Sequence, residues 1–169
     1  MIARNICCCI VFLTIFTLIA GAQAQVLSGG NVSVTGDENG FYADIAPTFG
    51  YQIKNVRMGI NPFISYSDLK TDKAVYSFGG RLFSEISLMK GIFAHGEIEA
   101  SNTEVQTHDV WNNPLKERKW SVGIPLGAGY EYPVGNHMTA YGMILYDLLE
   151  NKDSPQTNPI VRAGINYNF

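Results

Sequence analysis

The feature that most constrains this chain is strict alternation. In Trp120–Tyr132 one face takes Trp120, Val122, Ile124, Leu126, Ala128, Tyr130 and Tyr132, while the other takes Ser121, Gly123, Pro125, Gly127, Gly129 and Glu131. Side chains of a strand point to opposite faces in turn, so a period of two marks a strand with one apolar and one polar face. Phe41–Ile53 repeats the pattern, with Phe41 at one end and Phe49 and Tyr51 near the other. The chain ends the same way: Val161, Ala163, Ile165, Tyr167 and Phe169 share a face, and Arg162, Gly164, Asn166 and Asn168 lie opposite. No amphipathic helix of useful length interrupts these segments.

The alternating segments are Val26–Thr35, Phe41–Ile53, Val56–Ser67, Tyr76–Leu88, Ile92–Asn102, Trp120–Tyr132, His137–Leu149 and Ile160–Phe169. These predict eight strands of about ten residues, the length that crosses a bilayer at a tilt. Lys54-Asn55, Met89-Lys90-Gly91 and "PVGN" make tight turns. "DLKTDKAV", "TEVQTHDVWNNPLKERK" and "ENKDSPQTNP" make long polar loops, and "GDENG" a shorter one. Short connections at one end and long ones at the other are the habit of an outer-membrane barrel. Aromatic residues at both ends of an apolar face read as interfacial girdles.

Before the strands lies "MIARNICCCIVFLTIFTLIAGAQAQ". Arg4, an apolar run from Ile6 to Ala20, and Ala22-Gln23-Ala24 form the three parts of a secretory signal peptide cut before Gln25. The expected organisation is residues 1–24 as signal peptide and 25–169 as one barrel domain; an uncleaved membrane anchor is the alternative, with a short run for a spanning helix. All three cysteines, Cys7 to Cys9, fall in that segment, so the rest of the chain has no disulfide, thiol nucleophile or thiolate metal site. The 15 acidic residues outnumber the 12 basic ones, which argues weakly against a nucleic-acid partner.

Parity sends Asp44, Arg57, Arg81, Glu85, His95, Glu97, Glu99, Glu131, Asp147 and Arg162 to the side away from the apolar face. In a barrel of eight strands that side is a narrow lumen filled by its own side chains. The acids there outnumber the arginines, so a shared network is predicted rather than one-to-one pairs. A three-residue turn with Gly91 left-handed sets Arg81 opposite Glu99 and Glu85 opposite His95. A similar turn at Val134–Asn136 sets Gly129 opposite Tyr141 and Gly127 opposite Met143. Pro47, Pro62 and Pro125 lie within strands, where proline cannot donate to a ladder. The turn at Lys54-Asn55 puts Pro47 and Pro62 opposite each other, at one local defect.

Arg162, Gly164, Tyr167 and Phe169 fit the pattern polar-x-Gly-x-x-aromatic-x-aromatic. This resembles the C-terminal signal read by the barrel-assembly machinery of Gram-negative bacteria. With the signal peptide, it makes the chain similar to the small eight-stranded outer-membrane barrels, the OmpX-like and OmpA-transmembrane-domain-like group. The resemblance implies an all-β, antiparallel, up-and-down transmembrane barrel in the outer membrane, with no cofactor. Its partners would be outer-membrane lipid and lipopolysaccharide, the assembly machinery, and a host or cell-surface ligand at the loops.

Membership implies no single activity. Display of loops for adhesion or envelope integrity is the expected function, with Lys116, Arg118 and Lys119 as contacts for lipopolysaccharide phosphates. The alternatives are a narrow porin-like channel, a lipid A-modifying enzyme and a secreted lipocalin-like binder. His95, His108 and His137 are the only imidazoles. His95 points to the lumen, His137 lies beside a short turn, and His108 sits in a loop with no serine nearby, so no catalytic residue is assigned. No phosphate-binding glycine loop, H-E-x-x-H or cysteine–histidine metal set is present.

Overall fold

The computed structural model describes residues 24–37, 40–69, 75–108, 114–149, 156 and 158–168. The segment read as a signal peptide, all but its last residue, and Phe169 lie outside them. The strands are β1 (Gln25–Asp37), β2 (Gly40–Ile53), β3 (Val56–Leu69), β4 (Val75–Met89), β5 (Ile92–His108), β6 (Pro114–Gly123), β7 (Pro125–Pro133), β8 (Met138–Asp147) and β9 (Ile160–Asn168). Every pairing is antiparallel, and β1 pairs with β9 from Leu27↔Asn168 to Ser33↔Arg162, so the sheet closes on itself. Strands β6 and β7 both lie along β5 and form one stave in two pieces, which makes an up-and-down barrel of eight staves.

The predicted sixth strand is thus broken at Ile124. Pro125 opens β7, a position where its missing N–H is harmless. Asp147 seals the break: its Oδ1 accepts from Ile124 N at 2.8 Å and from Leu149 N at 3.1 Å.

The turn at Gly91 has φ 77°, and the ladder beyond it sets Arg81 opposite Glu99 and Glu85 opposite His95. The Lys54-Asn55 turn gives Ile53↔Val56, the register that opposes Pro47 and Pro62. Across β7 and β8 the predicted register is wrong by two residues. Gly129 faces Met143 and Gly127 faces Leu145, because the connection closes through Met138 O, which accepts from Val134 N (3.0 Å) and Gly135 N (3.3 Å). An even shift keeps every side chain on its predicted face.

Sequence length also misplaces one connection. Thr103–Lys119 was expected to be the longest loop, and most of it is strand. The β5–β6 ladder runs on to His108↔Pro114, well past Phe78↔Asn102, where β4 stops pairing with β5. A two-stranded arm therefore continues beyond the barrel, and six residues of it, Thr103 to His108, span about 20 Å.

The faces are inverted relative to a water-soluble β-protein. Tyr130 is 55% exposed and Ile165 48%, while Glu97 is 4% and Arg162 1% exposed. Ile45, Ile60, Ile64, Leu82, Ile98 and Ile144 also lie outside, each more than half exposed. So large an apolar belt around charged residues cannot face water. The soluble, lipocalin-like alternative is overturned on that observation.

Glycines let the lumen accept large rings. Phe63 lies opposite Gly79, Phe93 opposite Gly129, and Tyr141 opposite Gly164. A Cβ at Gly79 would stand 2.7 Å from Phe63, and one at Gly164 2.5 Å from the Tyr141 hydroxyl. Each ring fills the volume that its partner leaves.

Candidate functional site

The lumen is built by parity. Each stave sends alternate residues inward, and the polar ones meet along the barrel's length. Arg81 of β4 is wholly buried. Its Nη1 and Nη2 fork onto both oxygens of Asp44 on β2 at 3.1 and 2.6 Å, and its Nε donates to Glu99 Oε2 at 2.7 Å. The guanidinium also lies 4.1 Å from the centre of the Phe63 ring, so one face is held by the π-system while the edge is held by carboxylates. Tyr42 donates to Asp44 Oδ2 at 3.0 Å.

Arg162 continues the chain from the last stave. Its Nη1 donates to Glu97 Oε1 and Oε2 at 2.7 Å, and its Nη2 lies 3.4 Å from both Glu99 Oε2 and Gln156 Oε1. Gln156 in turn donates Nε2 to both oxygens of Glu99 at 2.9 Å. His95 bridges Glu97 and Glu85: Nε2 stands 3.1 Å from Glu97 Oε2 and Nδ1 2.9 Å from Glu85 Oε1. Two ring nitrogens facing two carboxyl groups require a proton in each gap. Beyond Glu85, Arg57 Nε lies 3.0 Å from Glu85 Oε2 and Arg57 Nη1 2.7 Å from Glu131 Oε2. One connected path therefore runs from Asp44 through Arg81, Glu99, Arg162, Glu97, His95, Glu85 and Arg57 to Glu131.

Asp147 faces the same side but serves the strand break, with backbone amides as its partners. The network also shares the lumen with an apolar sector of Phe93, Tyr141, Met143, Leu145 and Ile160. The turn register predicts Tyr141 and Met143 on this face, and Phe93, Leu145 and Ile160 join them. A small cavity beside Glu85, His95 and Glu97 measures about 10 Å³, with Asn31, Thr48 and Asn61 on its polar side and Phe83, Tyr141 and Met143 on its apolar side. That is room for about one water. Among the described residues no group of histidine, cysteine and carboxylate is arranged to hold a metal ion.

The rim of the barrel at the arm end carries a second cluster. Arg118 of β6 reaches back across β5, donating Nη1 to Asn102 Oδ1 at 2.9 Å and Nη2 to Tyr76 O at 3.1 Å. It lies 5.3 Å from the Phe78 ring centre, and Phe78 meets Trp120 edge-on at 6.2 Å. Asn102 is by parity an outward residue, yet this cover leaves it 7% exposed. Lys119 is half-buried, 4.0 Å from Glu117. Lys116 lies in β6, and its side chain is outside the described residues.

At the other end, Tyr167 is half-exposed with its ring 6.0 Å from that of His137. Of the sequence's terminal pattern, Arg162 and Gly164 face the lumen and Tyr167 the outside, while Phe169 falls outside the described residues.

A closed antiparallel sheet with an apolar wall and ion pairs within is a membrane-spanning β-barrel, since closure alone satisfies every backbone group in hydrocarbon. No family model and no curated protein matches the chain. Among solved structures it is similar to neisserial surface protein A at 13% identity, over 86% of this chain and 97% of that one, with a TM-score of 0.46. It is similar to the N-terminal β-barrel domain of Pseudomonas aeruginosa OprF at 12% identity, over 87% and 100%, with a TM-score of 0.47. The attachment invasion locus protein Ail of Yersinia pestis gives 10% identity over 86% and 97%, with a TM-score of 0.42. These are small eight-stranded outer-membrane barrels, and the likeness concerns the course of the backbone.

Proposed function

We propose that the protein is an integral barrel of a Gram-negative outer membrane, exported by its N-terminal segment, that displays its arm end outward and conducts no solute. The filled lumen carries this reading. Ion pairs from β2, β3, β4, β5, β7 and β9 meet there with an apolar sector beside them, and a cavity next to Glu85, His95 and Glu97 is only about 10 Å³. A solute would have to part several buried charge pairs at once, which costs several kcal/mol for each. That disfavours the porin-like alternative. Acyl chemistry on lipid A gains no support either. His95 is engaged by two glutamates in the lumen, and His137 lies at the end away from the arm.

The rim is the surface for interaction. At this rim Arg118 is held by Asn102 and Tyr76 and shares its strand face with the Lys116 position, while Lys119 lies on the alternate face beside Glu117. These three residues would contact lipopolysaccharide, and the β5–β6 arm would meet a surface ligand for adhesion or envelope integrity. Recognition by the assembly machinery would rest on Arg162, Gly164, Tyr167 and Phe169, read before the barrel closes and turns Arg162 and Gly164 into the lumen.

The test is conductance across a planar bilayer with the folded protein, its folding verified by a heat-dependent shift in gel mobility. A silent membrane is the expected result, and a steady stepwise current would end the sealed-barrel reading. Deleting residues 105–116 addresses display: it should weaken cell-surface adhesion or sensitise the envelope to detergent. If both stay unchanged, the arm has no such part.

A further inference from the structure

The lipid-facing wall carries a hollow whose floor includes two side chains that project little, Pro47 and Pro62, and a glycine flanks each of them along the row. Cross-strand register aligns Gly30 with Pro47 on β2, and Pro62 on β3 with Gly80 on β4. The Lys54-Asn55 register brings Pro47 and Pro62 face to face between them. One row across four staves is therefore glycine, proline, proline, glycine, and all four positions face outward. The rows on either side are bulky: Val32, Ile45, Ile64 and Phe78 toward the arm end, and Phe49, Ile60 and Leu82 toward the tight turns. A Cβ built on Gly80 meets nothing within 4 Å.

The backbone agrees. Pairing of β2 with β3 runs from Gly40↔Leu69 to Ile45↔Ile64 and resumes at Phe49↔Ile60. In between, the two prolines have no donors to give. Hydrocarbon cannot satisfy the carbonyl that this leaves. Asn61 does so from the lumen side: its Nδ2 lies 3.4 Å from Pro47 O and 2.6 Å from Thr48 Oγ1. The polar consequences of the gap are thus met inside, and the outside stays apolar. There a hollow of about 670 Å³ opens, lined by Val32, Ile45, Pro47, Pro62, Ile64 and Tyr76 among others. That volume falls in the range of about 300–1,000 Å³ of small-molecule pockets.

We propose that this hollow seats one acyl chain of a membrane lipid, held as a bound ligand rather than as passing solvent, with phospholipid as the probe. The proposal rests on the membrane reading above. The hollow is continuous with the apolar belt and bordered by Tyr66 and Tyr76 toward the arm end, so hydrocarbon is the medium that meets it. An empty hollow would forfeit the dispersion contacts of its walls, and water has no polar partner there. The rigid proline rings fix its floor, so a chain that enters meets a preformed site and loses little to reorganisation of the protein.

The test uses the full barrel reconstituted in nanodiscs of phosphatidylethanolamine and phosphatidylglycerol, released in the gas phase and weighed with its retained lipid. Gly80→Phe, at a position with free space directly across from Pro62, brings a ring onto the proline floor of the hollow, and Ile144→Phe enlarges the opposite wall as a control. Wild type and Ile144→Phe should retain one phospholipid, and Gly80→Phe should retain it at least about tenfold less often. Equal retention by wild type and Gly80→Phe, with both inserted, would overturn the proposal. Failure of wild type to enter nanodiscs at all would instead strike the membrane reading. If Gly80→Phe does not fold, a tryptophan reporter decides. Ile64→Trp, in a chain with Trp111→Phe and Trp120→Phe, should be quenched by a small fraction of chain-brominated phospholipid more than Ile144→Trp is. Equal quenching at the two positions would refute a bound chain.

Discussion

Replacing Arg81 by methionine isolates what the lumen network contributes. The guanidinium has no exposed surface and makes three charged hydrogen bonds, two to Asp44 and one to Glu99. Methionine keeps the apolar stem but is too short to replace the guanidinium over Phe63, so that contact is lost together with the charge. Glu99 would keep Gln156 and a long contact with Arg162, while Asp44 would keep one hydrogen bond, from Tyr42. Removing one member of a buried ion pair costs about 3–5 kcal/mol, because the other charge is left behind. At about 1.4 kcal/mol per tenfold, the unfolding equilibrium should shift by a factor of roughly a hundred to several thousand. The assay is reversible urea unfolding in lipid vesicles, followed by tryptophan fluorescence and by gel mobility. The second variant, Asp44→Asn with Arg81→Met, removes the stranded charge and keeps an acceptor for Tyr42. It should recover much of the loss, with a coupling between the two sites of about 1–3 kcal/mol. Strict additivity of the two substitutions, or a loss below about 1 kcal/mol for Arg81→Met alone, would show that water reaches the lumen and that the pairs are not isolated from it.

Two further outcomes follow from the wall and the glycines. Ile144→Arg places a charge at a lipid-facing position that is 62% exposed and should cost about 2–4 kcal/mol in the same unfolding assay, whereas a negligible cost would mean that the belt does not lie in hydrocarbon. Gly164→Ala drives a methyl group to 2.5 Å from both the Tyr141 hydroxyl and Gly30 O and should cost about 1–3 kcal/mol in refolding without any cellular factor; unchanged refolding would assign this glycine to recognition alone.

The barrel was legible because period two survives wherever one face meets lipid and the other the lumen. Turn chemistry added register: Gly91 fixed Arg81 against Glu99, and Lys54-Asn55 fixed Pro47 against Pro62. The same signal fails where a segment carries polar residues on both faces. Thr103–His108 has too few apolar residues to alternate, so a strand read as a loop. Across β7 and β8, the Val134 and Gly135 bonds to Met138 set a longer turn than the residues alone imply. The strand break was hidden for another reason. Pro125 signals trouble, but its remedy lies in Asp147 on the next stave, and parity counted that carboxylate among the lumen charges. The network's membership follows from parity, whereas its order does not. That Arg162 meets Glu97 from the far end of the sequence depends on closure, which no local pattern records.

That last contact makes the final stave a keystone. Glu97 belongs to β5, and its strongest partner belongs to β9, 65 residues later. A curved sheet lacking its last piece would carry the carboxylate into the bilayer with a shared imidazole and a 3.8 Å contact to Arg81 for company. Partial entry, hairpin by hairpin, is therefore uphill until the seam is sewn. The molecule is built to cross the threshold once, and whole.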